Sequence, residues 1–267
     1  MVYNKFTSKR GATMNDHKDM NIYGSLLSQL NGEAIRITDI QIGKSWVITS
    51  LSDGRVGMAA KLYADSDNNV DIQSILSSYS SAQELALQID NQDVFLSTLA
   101  LSAINAMNNS PASVFKNNSY SSKDTLCTAG LELQGKTIGI IGHMKRTYDL
   151  IRDNYNPRNI YMFDMDKSKG DLPPDQEPVL LPTCDVVIIT ATTLINHTIT
   201  DIISWTKQSY NILYGPSAPL VEYLPGINRI SGFYIKDPVL AKKWNQENKG
   251  SPLMFSEPFM IDVSIKD

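Results

Sequence analysis

At 267 residues, with 42% hydrophobic and 19% charged side chains, the chain is long enough for two medium domains with buried cores and too apolar for wholesale disorder. A formal net charge of −4 argues against a general electrostatic grip on nucleic acid, which needs a basic face, and favours a small-molecule ligand as partner. No apolar run reaches the roughly 18–20 residues of a membrane-spanning helix, and the polar opening MVYNKFTSKRGATMNDHKDM lacks the apolar segment of a secretory signal. Cys127 and Cys184 lie far apart without CxxC spacing. Together these features predict a cytoplasmic protein without membrane insertion and without a disulfide framework.

After the polar leader, Ile22, Leu26, Leu27 and Leu30 share one helical face, and Gly32 ends the helix. Strand-like runs follow at 34–42, 45–50 and 55–63, the last two joined by Ser52-Asp53-Gly54, whose Asp-Gly step suits a tight hairpin. From Asp71 the spacing becomes helical, over 71–79, 81–89 and 93–107, with Ser81 and Glu84 forming a capping-box pattern. Gly57, inside the third strand, reads as a position of close packing. NNSPASVFKNNSYSSKD is rich in Asn, Ser and Lys and reads as an exposed connector.

The second half restarts with the apolar strand TIGIIG, 137–142, and a helix over 145–154. Further strands fall at 159–163, 185–190, 211–214 and 229–234, with helical patterns at 197–206, 218–224 and 238–247. Unbroken apolar strands alternating with helices predict a parallel sheet covered on both faces. The predicted fold class is therefore α/β: a leader over 1–19, a smaller α+β domain over 20–110 with three strands then three helices, a connector over 111–134, and a Rossmann-like domain over 135–267.

In an open parallel sheet, ligands gather beyond the carboxyl ends of the strands. Those ends carry Gly142 and His143, Asp164, Thr190 with Thr192, Thr193 and Asn196, and Gly215-Pro216-Ser217. The GPSAP corner, Gly215 to Pro219, is the densest of these. If Ser217 caps a helix over 218–224, the corner presents N–H groups and a hydroxyl to an anion; the plainer reading is a stiff turn and a cap. Gly139 and Gly142 do not form a G-x-G-x-x-G fingerprint, since His143, Met144 and Lys145 follow, which disfavours NAD bound in the usual manner. Asp164 stands about 20 residues beyond the first glycines, where a carboxylate can accept from a ribose, or else caps a turn.

His143, at the rim, is the best acid, base or metal-ligand candidate by its near-neutral titration, although a lone His is more often structural. His197 reads equally as a solvent-facing first-turn residue, and no HxxxH, HExxH or Cys/His cluster marks a zinc site. Asn105, in the otherwise apolar LALSAINAM, must close an internal hydrogen-bond network or reach a ligand at a domain interface.

KTIGIIGHM, LLPTCDVVIITATTLINHTITDII and YGPSAPLVEYLPGINRISGFYIKDP, together with LSTLALSAINAM and DGRVGMAA, resemble the heavy-metal chelation family over roughly residues 20 to 264. The resemblance implies an enolase-N-terminal-like domain joined to a Rossmann-like domain, a site in the cleft between them and a metal-homeostasis setting. By motif, the cleft residues it implies are Asn105, Gly142, His143, Thr193, Asn196, Gly215 and Ser217. The chain departs from the family at Ala218, where Thr is frequent, and at His197, where a small residue is usual. A small anionic or metal-chelating metabolite, bound and open to transformation, is the leading expectation. Two alternatives stay open: an enzyme using S-adenosylmethionine, with Asp164 on the ribose and His143 as acid or base, and direct binding of a divalent metal by His143, His197 and nearby carboxylates. A homo-oligomer is compatible with either.

Overall fold

The computed structural model describes residues 21–30, 32, 34–63, 71–111, 119–120, 128, 130–166, 170–247 and 260–266. The leader and most of the connector lie outside these residues.

The first half opens with helix α1 (Ile22–Ser28), capped by the Asn21 side chain, which accepts from the Gly24 N–H. Strands β1 (Ile37–Ile42), β2 (Trp46–Leu51) and β3 (Val56–Ala60) form an antiparallel sheet in the order β1-β2-β3, with the expected hairpin turn at 52–54. Helices α2 (Ile72–Ser78), α3 (Ala82–Ala86) and α4 (Val94–Asn108) follow. Ser81 caps α3 by accepting from Glu84 N, while the Glu84 carboxylate reaches back to Ser80 N at 2.7 Å, so the capping-box pattern is realised one residue early. The long helix α4 is buried on almost every side. Gly57 lets it lie directly on β3: a Cβ there would come within 1.9 Å of Ala106 N.

A second, seven-stranded sheet is built from β4 (Ser119–Tyr120), β5 (Thr137–Ile141), β6 (Asn159–Phe163), β7 (Val186–Thr190), β8 (Tyr210–Tyr214), β9 (Arg229–Ile235) and β10 (Met260–Lys266). Its order is β4-β10-β9-β8-β7-β5-β6, the strands β6, β5, β7, β8 and β9 running parallel and β10 and β4 antiparallel at one edge. Helices α5 (Lys145–Tyr155), α6 (Glu177–Leu180), α7 (Ile199–Trp205) and α8 (Pro238–Gln246) connect and cover it. The parallel α/β core expected from the apolar strands is thus present, with two additional antiparallel edge strands, and β4 falls inside the expected connector.

The expected helix over 218–224 does not form. Ala218, Pro219, Leu220 and Val221 are four consecutive buried residues, more than one helical stripe could bury, and exposure returns only at Glu222 and Tyr223. Pro219 has no N–H to give a helix, and the chain takes a short turn, Ala218 N to Gly215 O, before running extended. Ser217 is therefore not a helix cap.

One apolar core runs from Leu26, Val47, Leu99 and Ile104 of the first half to Ile189, Leu194, Leu213 and Val221 of the second. A smaller cluster joins Trp46, Ile48 and Met58 to Ile235 and Trp244. Among the described residues, no helix is long and apolar enough to cross a membrane.

Candidate ligand cleft

After β5 the chain moves to one side to make β6 and then crosses to the other to make β7, so strand order reverses at β5. At such a reversal the loops leaving two neighbouring strands diverge and open a crevice at their carboxyl ends. Here the crevice is a cleft of about 630 Å³. One wall is the turn and first helical residues His143 to Thr147; the floor is Thr190, Ala191, Thr192 and the corner Tyr214 to Ser217; the opposite wall is Ser45, Trp46 and Ala60 from the antiparallel sheet.

The first wall is set by backbone geometry. Gly142 leaves β5 at φ 96°, a left-handed conformation, and donates its N–H to Phe163 O, which turns the next residues out of the sheet. His143 N then donates to Asp164 Oδ2 at 2.8 Å, while Asp164 Oδ1 accepts from Asp166 N. The imidazole Nδ1 of His143 lies 2.6 Å from Oδ2 of Asp171, whose side chain is only 6% exposed. A carboxylate on Nδ1 fixes the ring's orientation and favours the neutral tautomer with its single N–H on that nitrogen, leaving Nε2 as the acceptor. Beyond it α5 starts with no side-chain cap, its N-terminal amides beside Lys145 and Arg146. Lys145 Nζ pairs with Asp149, one turn along, at 2.6 Å.

The GPSAP corner joins the two sheets. Ser217 is 2% exposed; its Oγ accepts from Ala60 N at 2.9 Å and its carbonyl accepts from Asn105 Nδ2 at 3.1 Å. Asn105 Nδ2 also donates to Met58 O at 2.7 Å, so this amide sits behind the corner, tying α4, β3 and the second sheet together, and its Oδ1 is buried without a partner.

Of the residues singled out in the sequence, His143, Thr190, Thr192, Gly215, Pro216 and Ser217 line the cleft. Gly142 shapes it from beneath, and Asp164 holds its His143 turn from behind. Thr193 is buried and donates to Thr190 O, and Asn196 accepts from Thr198 and lies 3.9 Å from Met165 Sδ; both stand off the cleft. His197 is a partly buried link rather than a solvent-facing residue. Its Nδ1 is 3.1 Å from Tyr23 Oη and its Nε2 is 2.8 Å from Asn91 O, both in the first half and away from the cleft lining.

Asp171, Trp46 and Ala60 were not singled out. Asp171 is 28 residues from its histidine, and the other two arrive from the opposite half, so neither spacing nor periodicity marks them. Lys145 and Arg146 carried a readable signal: a predicted helix beginning at the rim without Ser, Thr, Asp or Asn ahead of it.

Two sequence profiles described as "Putative heavy-metal chelation" match the chain, one over residues 23–108 and the other over 128–257. The chain belongs to this family. A crystal structure of a family protein with unknown function from Desulfitobacterium hafniense is similar to it, with a TM-score of 0.75 at 20% identity, covering 92% of this chain and 97% of that one. A second, from Pyrococcus horikoshii, gives 0.71 at 18% identity over 92% and 98%. These likenesses carry the fold over the full length of both relatives. No curated protein matches the sequence.

The family description raises a question about metal. Among the described residues, no group of three or more His, Cys, Asp and Glu is placed to hold a metal ion. Of the cleft's lining residues only His143 belongs to those four types, whereas a heavy-metal cage commonly takes about four such donors. The described residues do not supply a chelating donor set.

Proposed function

We propose that this protein binds a small organic anion, of the metal-chelating kind that its family description suggests, in the cleft between the two sheets. The observation that carries the reading is the position of that cleft: it opens at the strand-order reversal of the parallel sheet, with the uncapped start of α5, Lys145, Arg146 and His143 forming one wall. Helix-terminal amides and two basic side chains favour a carboxylate or phosphate there. Ser45, Thr190 and Thr192 add neutral hydrogen-bonding groups.

The His143–Asp171 pair favours a second reading on the same site, in which the bound anion is also transformed. A histidine oriented by a nearly buried carboxylate can accept or deliver a proton at Nε2.

Thermal denaturation tests the binding reading directly, because a ligand selective for the native state raises the melting temperature. Organic carboxylates and phosphate esters are expected to raise it by a few degrees, and Lys145→Ala/Arg146→Ala to abolish the shift. A shift that survives this double substitution, or none with any organic anion, would overturn the reading. The acid–base reading is checked with any compound turned over: Asp171→Asn should lower kcat far more than it raises KM.

A further inference from the structure

The walls of the cleft are chemically unequal. Every formally charged or titratable group among the described lining residues other than Tyr214, namely His143, Lys145 and Arg146, comes from one short stretch of chain. The floor and far wall are neutral, with apolar surface from Trp46, Ala60, Tyr214 and Pro216, and Met144 continues that surface at the foot of the charged wall. No Asp, Glu or Cys lines the cleft among the described residues.

Size adds a second constraint. About 630 Å³ lies in the middle of the range for sites that enclose whole organic molecules, and far exceeds what an inorganic anion or a bare cation fills. A ligand that satisfied only the charged wall would leave the apolar wall in contact with water. A ligand charged at both ends would desolvate one of its charges against Trp46 and Ala60 without a counter-charge, which is costly. A bare divalent cation would meet one imidazole, two positive side chains and no carboxylate.

We infer that the cleft selects an amphipathic organic anion, with one carboxylate or phosphate head against residues 143–147 and an apolar, ring-sized body against Trp46, Ala60 and Pro216, in preference to an inorganic anion or a free metal ion. The inference rests on the binding reading above and adds the class of ligand. It also assigns a role to the first half of the molecule: Trp46 and the last residue of β3 contribute the specificity wall, while the second half contributes the anion wall. Any metal associated with such a ligand enters as part of an anionic chelate.

The test uses matched pairs that share a head and differ in body, phenyl phosphate against inorganic phosphate and benzoate against acetate, titrated calorimetrically into the full chain at one ionic strength. ZnCl₂ and NiCl₂ are titrated alone in parallel. The aromatic member of each pair is expected to bind at least about tenfold more tightly. Ala60→Leu, which fills the apolar end, should bring phenyl phosphate to within about threefold of phosphate while leaving phosphate unchanged; Ala60→Val supplies the same comparison with a smaller side chain if the first variant is unstable. Equal affinities within the pairs would overturn the inference and leave the anion reading standing. Failure of all four anions to bind would overturn both, and stoichiometric retention of either metal alone would overturn the exclusion of free ions.

Discussion

Glu177 shows how a single buried side chain makes stability depend on pH. It opens α6 at 7% exposure, and burial pushes its carboxyl up from the ordinary value to about 7. Because the folded state holds this proton more tightly, the contribution to stability is complete below about pH 4.5 and is lost as pH rises through about 7. Glu177→Gln should therefore match the parent near pH 4.5 and exceed it increasingly toward pH 8, by up to about 3 kcal/mol. A pH-independent gap in denaturant midpoints would rule out this account. His197 shows a different economy: its backbone sits at φ 62°, unusual for a residue with a Cβ, and its ring bridges Tyr23 and Asn91. His197→Gly relieves the backbone but removes both contacts, and a net loss of about 1–2 kcal/mol is expected. A Gly variant as stable as the parent would show that the ring contributes nothing. Neither role was legible from sequence, because burial of one Glu and the reach of one His are set by residues far along the chain.

Elements were legible where periodicity and apolar content agree on one answer. The helix over 93–107 and the strands at 137–142, 159–163 and 185–190 carry unambiguous patterns, and the structure forms them within a residue or two. The segment 218–224 misleads because apolar residues spaced for a helix here serve a corner in which four consecutive residues, 218–221, are buried, a distinction that only tertiary packing makes. The short helical segment over 174–183 has three prolines and little periodicity, so local pattern did not reveal it. Close approach of elements, in contrast, was partly readable through Gly57. A methyl group there would strike the backbone of α4 at Ala106, Asn105 and Ser102, none of which can rotate away. Gly57→Ala should cost at the upper end of the roughly 1–3 kcal/mol typical of overpacking, or more. An unchanged melting temperature would show that α4 and β3 can separate without loss.

At the scale of the whole molecule, residues 143–147 line the cleft from the parallel sheet and Ser45, Trp46 and Ala60 line it from the antiparallel sheet, so the cleft exists only while the two halves stay docked. Several hydrogen bonds keep them so. Asn109 makes a two-bond clamp on the backbone of Ile235, Nδ2 to O at 2.9 Å and N to Oδ1 at 2.8 Å. Gln29 accepts from the amides of Glu222 and Tyr223, and Asn245 donates to Gln41 Oε1. The continuous core across the seam means that separating the halves would expose apolar surface on both, and neither side has a replacement partner within the described chain. Unfolding should therefore be one cooperative transition, with tryptophan fluorescence, to which Trp46 and Trp244 at the seam contribute together with Trp205 on α7, superimposing on far-UV circular dichroism. Asn109→Ala strands the Ile235 amide and carbonyl, and should lower stability by about 2–3 kcal/mol while keeping the two signals coincident. If the fluorescence change instead came at lower temperature than the loss of helix and strand, the seam would open before the halves unfold, and ligand affinity would fall with temperature in step with the fluorescence.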